Sequence, residues 1–291
     1  MFQQLVNGLS LGSIYALVAL GYTMVYGIIK LINFAHCDIY MVGAFIGYFC
    51  VTTLGLGFFP ALLIAMVLSM LLGIFIERVA YRPLRDSSRI TVLITAIGVS
   101  MLLEYGMMFF VGADPYVYPD PVGWMAIRIE AGGAIIRMQQ ILIMGITVLL
   151  MLGLQFIVHK TRMGKCMRAV SQDPDAAMLM GVNVDKTISF TFAIGSALAG
   201  AAGVLVGVYY SSINPLMGSL PGLKAFVAAV LGGIGIIPGA MLGGYLIGLI
   251  ETLVAGIGLS TYKDAVVFFI LILILIVRPA GLLGKNKREK V

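Results

Sequence analysis

The chain has 291 residues, of which 60% are hydrophobic and 11% are charged, and it carries a formal net charge of +6. A soluble domain is about 45–50% apolar and about 25% charged, so this composition excludes an ordinary soluble enzyme and favours a protein whose apolar surface is solvated by lipid. The positive charge does not indicate nucleic-acid binding, because the basic residues lie in short loops and in the tail, where the positive-inside rule expects them.

Apolar stretches long enough to cross a bilayer, which takes about 20 residues, recur along the whole chain. In chain order, clear stretches of this kind occupy residues 5–29, 57–76, 90–112, 141–158, 188–212 and 265–278. Two less regular stretches are 33–52 and 223–255, and a Gly-rich cluster with Pro238 should divide the second into helices at 223–235 and 240–255. The sequence therefore predicts an all-α polytopic membrane protein with about 8–9 transmembrane or re-entrant helices, in one domain that covers residues 1–291.

The basic residues predict which loops face the cytoplasm. Lys and Arg outnumber Asp and Glu in loop 77–89, in loop 159–187 and in the tail at 279–291, whereas acidic residues outnumber basic ones in loop 113–140. The positive-inside rule places the first three segments inside and the last one outside. Region 223–255 must then cross an even number of times, with its break on the cytoplasmic side.

Three short motifs occur twice in the same order, which predicts two related halves. The pairs are LGS at 11–13 and IGS at 194–196, Ile-Asn at 32–33 and at 213–214, and LLGIFIERV at 71–79 and LIGLIETLV at 246–254. Because the first copy ends inside and the second ends outside, the halves would be inverted, a plan that recurs in transporters with the pathway at the repeat interface. Convergent membrane composition is the alternative explanation.

Loop 159–187 contains the signals of a short capped helix. Asp173 suits the N-cap, Pro174 suits the first helical position and Gly181 suits the position after the C-cap. These signals predict a two-turn helix from Pro174 to Met180, with a small apolar surface formed by Ala176, Ala177, Leu179 and Met180. A helix this short is marginal alone, so we expect it to dock into a groove on a partner or, alternatively, to lie on the membrane or on the bundle of its own chain.

Several long motifs carry a family resemblance over nearly the whole chain. They are NGLSLGSIYALVALGYTMVYGIIKLINFAH at 7–36, IERVAYRPLR at 76–85, KAFVAAVLGGIGIIPGAMLGG at 224–244 and RPAGLLG at 278–284, together with the capped loop. The chain resembles the LivH-type branched-chain amino-acid permeases of the hydrophobic amino-acid uptake family of bacterial ABC importers. It departs from that pattern at Cys37, where the family usually has Gly.

The resemblance implies a heteromeric importer in the bacterial cytoplasmic (inner) membrane, with an alternating-access mechanism. Its partners would be a second related permease subunit, two cytoplasmic ATPase subunits and a periplasmic amino-acid-binding protein. The loop would be the coupling loop, and its segment from Asp173 to Gly181 would contact the ATPases.

No catalytic, cofactor or metal site is expected in this chain. It lacks the GxxxxGK[ST] phosphate-binding loop, so any ATP would be hydrolysed by partner subunits and the chain itself would not be an enzyme. The spacing and setting of Cys37, Cys50 and Cys166 predict neither a disulfide nor a metal site.

Polar residues within membrane segments are costly in lipid and are therefore candidates for a substrate pathway. Glu104 lies deepest in its segment, with bundle packing and snorkelling as the alternative interpretations. His36 and Asp38 either cap a helix break or line a gate. The predicted pathway residues are Asn33, His36, Glu104, Asn214, Gly233 and Gly235.

Two further charges receive interpretations from their sequence positions alone. Lys224 is interpreted as a helix-end residue whose head reaches the membrane surface, and Glu251 as a residue near the outer interface.

Two alternative functions stay open. The same machinery would carry urea or short amides, or the chain would be an ion-coupled secondary carrier that uses Glu104 or Glu251; a channel is a weaker third option.

Overall fold

The computed structural model describes residues 2–31, 33–85, 87–119, 127–131 and 134–284. The basic part of the predicted tail, 285–291, lies outside the described residues. Within the described ranges the chain forms eleven α-helices: α1 (Phe2–Ile29), α2 (His36–Thr52), α3 (Phe58–Ile76), α4 (Arg89–Val111), α5 (Met138–Lys160), α6 (Arg162–Gln172), α7 (Pro174–Leu179), α8 (Val184–Tyr210), α9 (Ser219–Gly232), α10 (Ile237–Gly256) and α11 (Lys263–Val277). Four short strands, β1 (Tyr116–Val117), β2 (Arg128–Ala131), β3 (Ala134–Arg137) and β4 (Ser212–Ile213), pair as β1–β4 and β2–β3.

The prediction of an all-α polytopic membrane protein is confirmed. Seven of the described helices are long and apolar enough to cross a membrane. The two shorter apolar helices are α2, with 17 residues, and α9, with 14 residues. Together they give nine membrane helices, within the predicted range.

The predicted break in region 223–255 is present and lies within the Gly-rich cluster, but the predicted bounds of the two helices, 223–235 and 240–255, differ from those observed by up to four residues. α9 begins at Ser219 and ends at Gly232, and α10 begins at Ile237 with Pro238 in its first turn. The residues between them include Gly233 and Gly235, whose φ angles of +106° and +89° are readily adopted only by glycine. α9 therefore ends three residues earlier than predicted, immediately before the first of these glycines, and α10 begins three residues earlier because Pro238 is accommodated in its first turn.

The two ends of the bundle can be distinguished by the loops that they carry. At one end, called the hairpin end, the β2–β3 hairpin binds α1, since the Gln3 amide accepts from Ile135 N at 2.8 Å and donates to Ile135 O at 3.1 Å. The opposite end, called the loop end, carries α6 and α7. Residues after α11 also lie at the loop end, where Leu282 N donates to Leu231 O at 2.8 Å. The loops predicted to be cytoplasmic are thus grouped at one end.

The two halves pack reciprocally, which supports the predicted inverted repeat. α1 packs antiparallel to α10, and α8 packs in the same way on α3. α1 also contacts α9, while α8 contacts α2, so each first helix is enclosed by the second and third helices of the other half. α1 ends at the loop end, where α8 begins, so the halves run in opposite directions.

Two local structures were missing from the sequence prediction. α6 was assigned to an irregular loop, but Thr161 caps it and its Met167 and Val170 are buried. The β2–β3 hairpin lies in the loop predicted to face outward. The alternation of apolar and polar residues from Ile127 to Glu130, followed by Gly132-Gly133 in the sequence, was the available signal for it. Both structures are short and depend on contacts with the long helices.

Cys37 is accommodated by a glycine on a facing helix. The Cys37 thiol lies against the Tyr22 hydroxyl, and a Cβ added to Gly222 of α9 would collide with Cys37 Sγ. The larger residue on α2 is therefore tolerated because α9 presents no side chain at the contact point.

We expect Gly222→Ala to lower the free energy of unfolding by about 1–3 kcal/mol through overpacking against the thiol. Combining it with Cys37→Ala should restore most of this loss, because the clashing sulfur is removed. Thermal unfolding in detergent measures both effects. Gly106→Ala in α4, which meets no neighbouring atoms, is the matched control and should change stability little. Equal destabilisation of the single and double variants would contradict this account.

Candidate functional site

The loop helix α7 is capped as predicted. Asp173 Oδ1 accepts hydrogen bonds from Asp175 N at 2.9 Å and Ala176 N at 3.0 Å, which satisfies two free donors at the start of the helix. Gly181 follows the helix with a φ of +82°, as expected after a C-cap. The helix ends at Leu179, one residue earlier than predicted, and Met180 is its C-cap.

The far side of α7 presents an apolar surface that the described chain leaves uncovered. Leu179 is 90% exposed and Met180 is 84% exposed, and Met178 and Ala176 are also exposed. Ala177 is buried against the chain, so the prediction that it belongs to this surface is corrected. Large apolar side chains exposed together in this way are typical of an interaction site.

The loop helices are attached firmly to the membrane helices. The Arg168 guanidinium of α6 donates to the Val158 carbonyl of α5, and α6 also packs against α1 and α8. α7 packs against α6 and α8. A force applied to the exposed face of α7 would therefore reach three long helices through packed contacts.

An ion network at the loop end joins the end of α3 to the start of α8. The fully buried Glu77 contacts Arg85 and accepts from Ser189 Oγ at 2.6 Å. Arg85 also lies 2.5 Å from Asp185, which Arg82 contacts as well. In the sequence these charges served only to predict sidedness. Glu77 and Arg85 are 8 positions apart, but Asp185 lies 100 positions from Arg85 and Ser189 lies 112 from Glu77.

The structure places Asn33 and His36 in the core rather than along an open path. Asn33 is 2% exposed and its Oδ1 accepts from Tyr81 Oη at 2.7 Å. His36 is 1% exposed, with its ring 4.9 Å from that of Tyr22. Neither His36 nor Asp38 caps α2, because the N-cap residue is Ala35 and it receives no side-chain hydrogen bond.

Glu104 lies beside a small polar cavity between α4 and α9. Its Oε1 accepts from Ser219 Oγ at 3.1 Å. Asp38 lines the adjacent cavity of about 180 Å³ and accepts from Ser100 Oγ at 2.5 Å. Glu104 is half-buried and contacts this cavity through Ser219, which lines it, rather than lining it directly.

A larger cavity, of about 440 Å³, lies between α1, α8, α9 and α11 toward the hairpin end. Asn214 lines it, and its Oδ1 accepts from Leu216 N at 3.0 Å. Gly233 and Gly235 lie at the opposite end, where Gly235 lines a cavity of about 80 Å³. The six predicted pathway residues are therefore distributed over the length of the bundle and form no single site.

Four charged side chains meet in the wall of the larger cavity. Lys224 Nζ lies 2.9 Å from Glu251 Oε1 and 2.6 Å from Asp264 Oδ1, and Lys263 Nζ lies 2.9 Å from the same Glu251 oxygen. Tyr15 Oη donates to Glu251 Oε2 at 2.8 Å. The head of Lys224 is buried and paired, so the interpretation of Lys224 as a snorkelling helix end was wrong. Glu251 is buried within the bundle near the end of α10, at the hairpin end.

Sequence reasoning missed this cluster because its members belong to different helices. One signal was available, namely that Lys224 and Glu251 both lie within apolar helices where an unpaired charge would be costly. Among the described residues, no group of three or more His, Cys, Asp or Glu side chains is placed to hold a metal ion.

The chain is similar over nearly its whole length to known transport proteins. Residues 4–275 match the family model described as branched-chain amino acid transport system / permease component. The high-affinity branched-chain amino acid transport system permease protein BraD of Pseudomonas aeruginosa is 46% identical, over 99% of this chain and 97% of its own. The corresponding LivH protein of Escherichia coli K12 is 44% identical, over the same shares.

A more distant similarity extends to sugar transport. The ribose import permease protein RbsC of Escherichia coli K12 is 26% identical, over 69% of this chain and 62% of its own. No solved structure matches.

Proposed function

The chain belongs to the branched-chain amino acid transport permease family and is a membrane-spanning permease component, and we propose that it serves an ATP-driven importer of the bacterial cytoplasmic membrane. The proposed cargo is branched-chain amino acids, for which the relatives that align over nearly the whole chain are named, together with other hydrophobic amino acids. The fainter similarity to a ribose permease indicates that this type of chain also serves other cargo, so the membrane domain alone does not define the substrate.

The proposed assembly contains three further subunits, and a soluble binding protein delivers the cargo to it. We infer a second related permease subunit, two cytoplasmic ATPase subunits and a periplasmic amino-acid-binding protein. The relatives are components of transport systems, which supports the need for partners in general. ATP would be hydrolysed by the ATPase subunits, and this chain would bind no cofactor.

The observation that carries the proposed mechanism is the exposed tip of α7. Leu179, at 90% exposure, stands on a capped helix whose other side rests on the chain. We propose that Asp173, Pro174, Ala176, Leu179, Met180 and Gly181 form or support the surface that docks into an ATPase subunit, with Ala177 anchoring the helix from beneath. Closure of the ATPase subunits would then move α6 and α8. Because α6 packs against α1, and α8 packs against α1 and α3, this movement would change the access of the pathway from one side of the membrane to the other.

Sidedness follows from the same assignment. The loop end would face the cytoplasm, in agreement with its basic residues, and the hairpin end would face the binding protein. Lipid would surround the exposed apolar faces of α3, α4, α5 and α11, apart from the area that the second permease covers.

Reconstitution tests the proposed function directly. The chain, co-purified with its partners in mild detergent and placed in proteoliposomes, should import labelled leucine only when ATP and binding protein are both supplied. Competition should be strong with valine and isoleucine and absent with urea. Uptake driven by an ion gradient without ATPase subunits would overturn the proposal in favour of a secondary carrier.

The alternative functions are less well supported. Glu251, one proposed ion site of a secondary carrier, is already held by two lysines and a tyrosine. The nearly full-length relatives are named for branched-chain amino acids rather than for urea or amides.

A further inference from the structure

We propose that the cavity at the hairpin end binds the transported amino acid as a zwitterion, with Lys263 pairing with its carboxylate and Asp264 with its ammonium group. This inference rests on the proposed function and adds a binding site within the membrane domain itself. Three observations support it: the order of the four charged side chains in the cavity wall, their unequal exposure to solvent, and the apolar residues that line the cavity beside them.

The charges form a linear chain of alternating sign. Lys263 contacts Glu251, Glu251 contacts Lys224, and Lys224 contacts Asp264. Among the described residues, each inner member therefore has two oppositely charged neighbours, whereas each end member has one. One end of the chain is a cation and the other an anion, and these two residues are adjacent in sequence at the start of α11.

The two end residues of this chain of charges are more exposed to solvent than the two middle residues. The side chains of Lys263 and Asp264 are each 37% exposed, whereas those of Lys224 and Glu251 are 6% and 3% exposed. The Lys224–Glu251 pair is further fixed by the Tyr15 hydroxyl bond, and Lys224 lies 5.9 Å from the centre of the Tyr15 ring. The inner pair is thus a rigid support, and the outer two groups are accessible to a solute in the cavity.

A zwitterion fits this arrangement by charge. An amino acid presents one carboxylate and one ammonium group on the same carbon atom, so it needs an ammonium donor and a carboxylate acceptor close to each other. The cavity has a net charge of zero with two lysines, one Glu and one Asp, and it stays neutral when a zwitterion binds. A singly charged solute would leave an unbalanced charge beside the buried Lys224–Glu251 pair, which is costly.

The remaining wall suits a branched apolar side chain. The cavity of about 440 Å³ is within the usual range of small-molecule sites, about 300–1,000 Å³. Val206, Met217 and Leu220 line it beside the charges. Tyr40 also lines it, is 1% exposed, and has a hydroxyl with no hydrogen-bond partner among the described residues, which leaves one buried polar atom available to a ligand.

The test uses the complete transporter, with binding protein left out so that only the membrane site is probed. A thiol is introduced by Met217→Cys in a Cys166→Ala background, and its rate of maleimide labelling is measured against increasing L-leucine. Leucine should slow the labelling, whereas leucinamide, which lacks the carboxylate, and N-acetyl-leucine, which lacks the ammonium group, should not. This readout detects weak binding, since leucine can be supplied at high concentration.

Two neutral variants locate the site. Lys263→Gln and Asp264→Asn should each raise the leucine concentration for half-protection about tenfold or more, as expected when a charge-assisted hydrogen bond is lost. Lys263→Arg keeps the cation and should retain protection. The matched controls Lys160→Gln at the loop end and Asp114→Asn in the outer loop remove exposed charges away from the cavity and should leave the midpoint unchanged.

The outcomes separate this inference from the proposed function. If all three compounds protect equally, or if none protects while the same preparation imports leucine with ATP and binding protein, the zwitterion site is overturned and the permease function stands. If the unmodified transporter fails to import leucine at all, the proposed function itself fails.

Discussion

Leu179→Asp should reduce ATP-driven leucine uptake at least tenfold and weaken co-purification of the ATPase subunits. Burial of a leucine side chain at an interface contributes about 1.5–3 kcal/mol, and a carboxylate in its place adds a desolvation cost, so a loss of about tenfold or more in association is expected. Since Leu179 is 90% exposed in the isolated chain, the substitution should leave the fold of the permease intact.

Two measurements distinguish uncoupling from misfolding. Leu179→Met keeps an apolar side chain of similar volume and should retain near-normal uptake. The Asp variant should show the same elution profile and thermal unfolding as the unmodified chain when purified alone. Normal uptake and normal ATPase co-purification in Leu179→Asp would show that α7 is not the coupling helix and that it rests on the membrane surface instead.

Breaking the ion chain at its centre should have the largest effect on stability. Lys224→Met or Glu251→Leu alone leaves one excess charge in a buried network, and we expect each to lower the free energy of unfolding by about 3–5 kcal/mol. The combined variant should recover much of this loss, because Lys263 and Asp264, which remain, balance each other and are each 37% exposed.

Thermal unfolding in detergent, with all four members of the double-mutant cycle, measures this coupling. Glu130→Leu, at an exposed position of β2, is the control for loss of a carboxylate and should change the unfolding temperature little. If the double variant were as unstable as the sum of the single variants, Lys224 and Glu251 would act independently and the network description would be wrong.

The membrane helices and the loop helix could be predicted because their signals are local. A stretch such as 188–212 is recognisable from about 20 consecutive apolar residues, since the bilayer sets the length. The caps of α7 lie within nine residues, Asp173 to Gly181, and depend only on which side chains can bond to a helix end. The break near Gly233 was also visible, although the helix bounds were not.

The charge networks could not be predicted, because their partners are distant in sequence. Glu251 binds Tyr15, which lies 236 positions away, and Arg85 binds Asp185, which lies 100 positions away. Each of these residues looked like a helix-end or loop charge when its neighbours alone were considered. Only the packing of α10 on α1, and of α8 on α3, brings the partners together. The burial of Asn33 and His36 in the bundle likewise depends on distant contacts, such as the bond of Asn33 with Tyr81, 48 positions away.

The inverted halves have an energetic consequence for the transport cycle. Each half places a buried glutamate near the end of its third helix, Glu77 at the loop end and Glu251 at the hairpin end. If the halves exchanged their local conformations, the large cavity would close at one face of the membrane and a related one would open at the other. The inward-open and outward-open states would then use equivalent contacts related by a pseudo-two-fold axis and would be close in free energy, so a modest bias from ATP binding would suffice to reverse their populations.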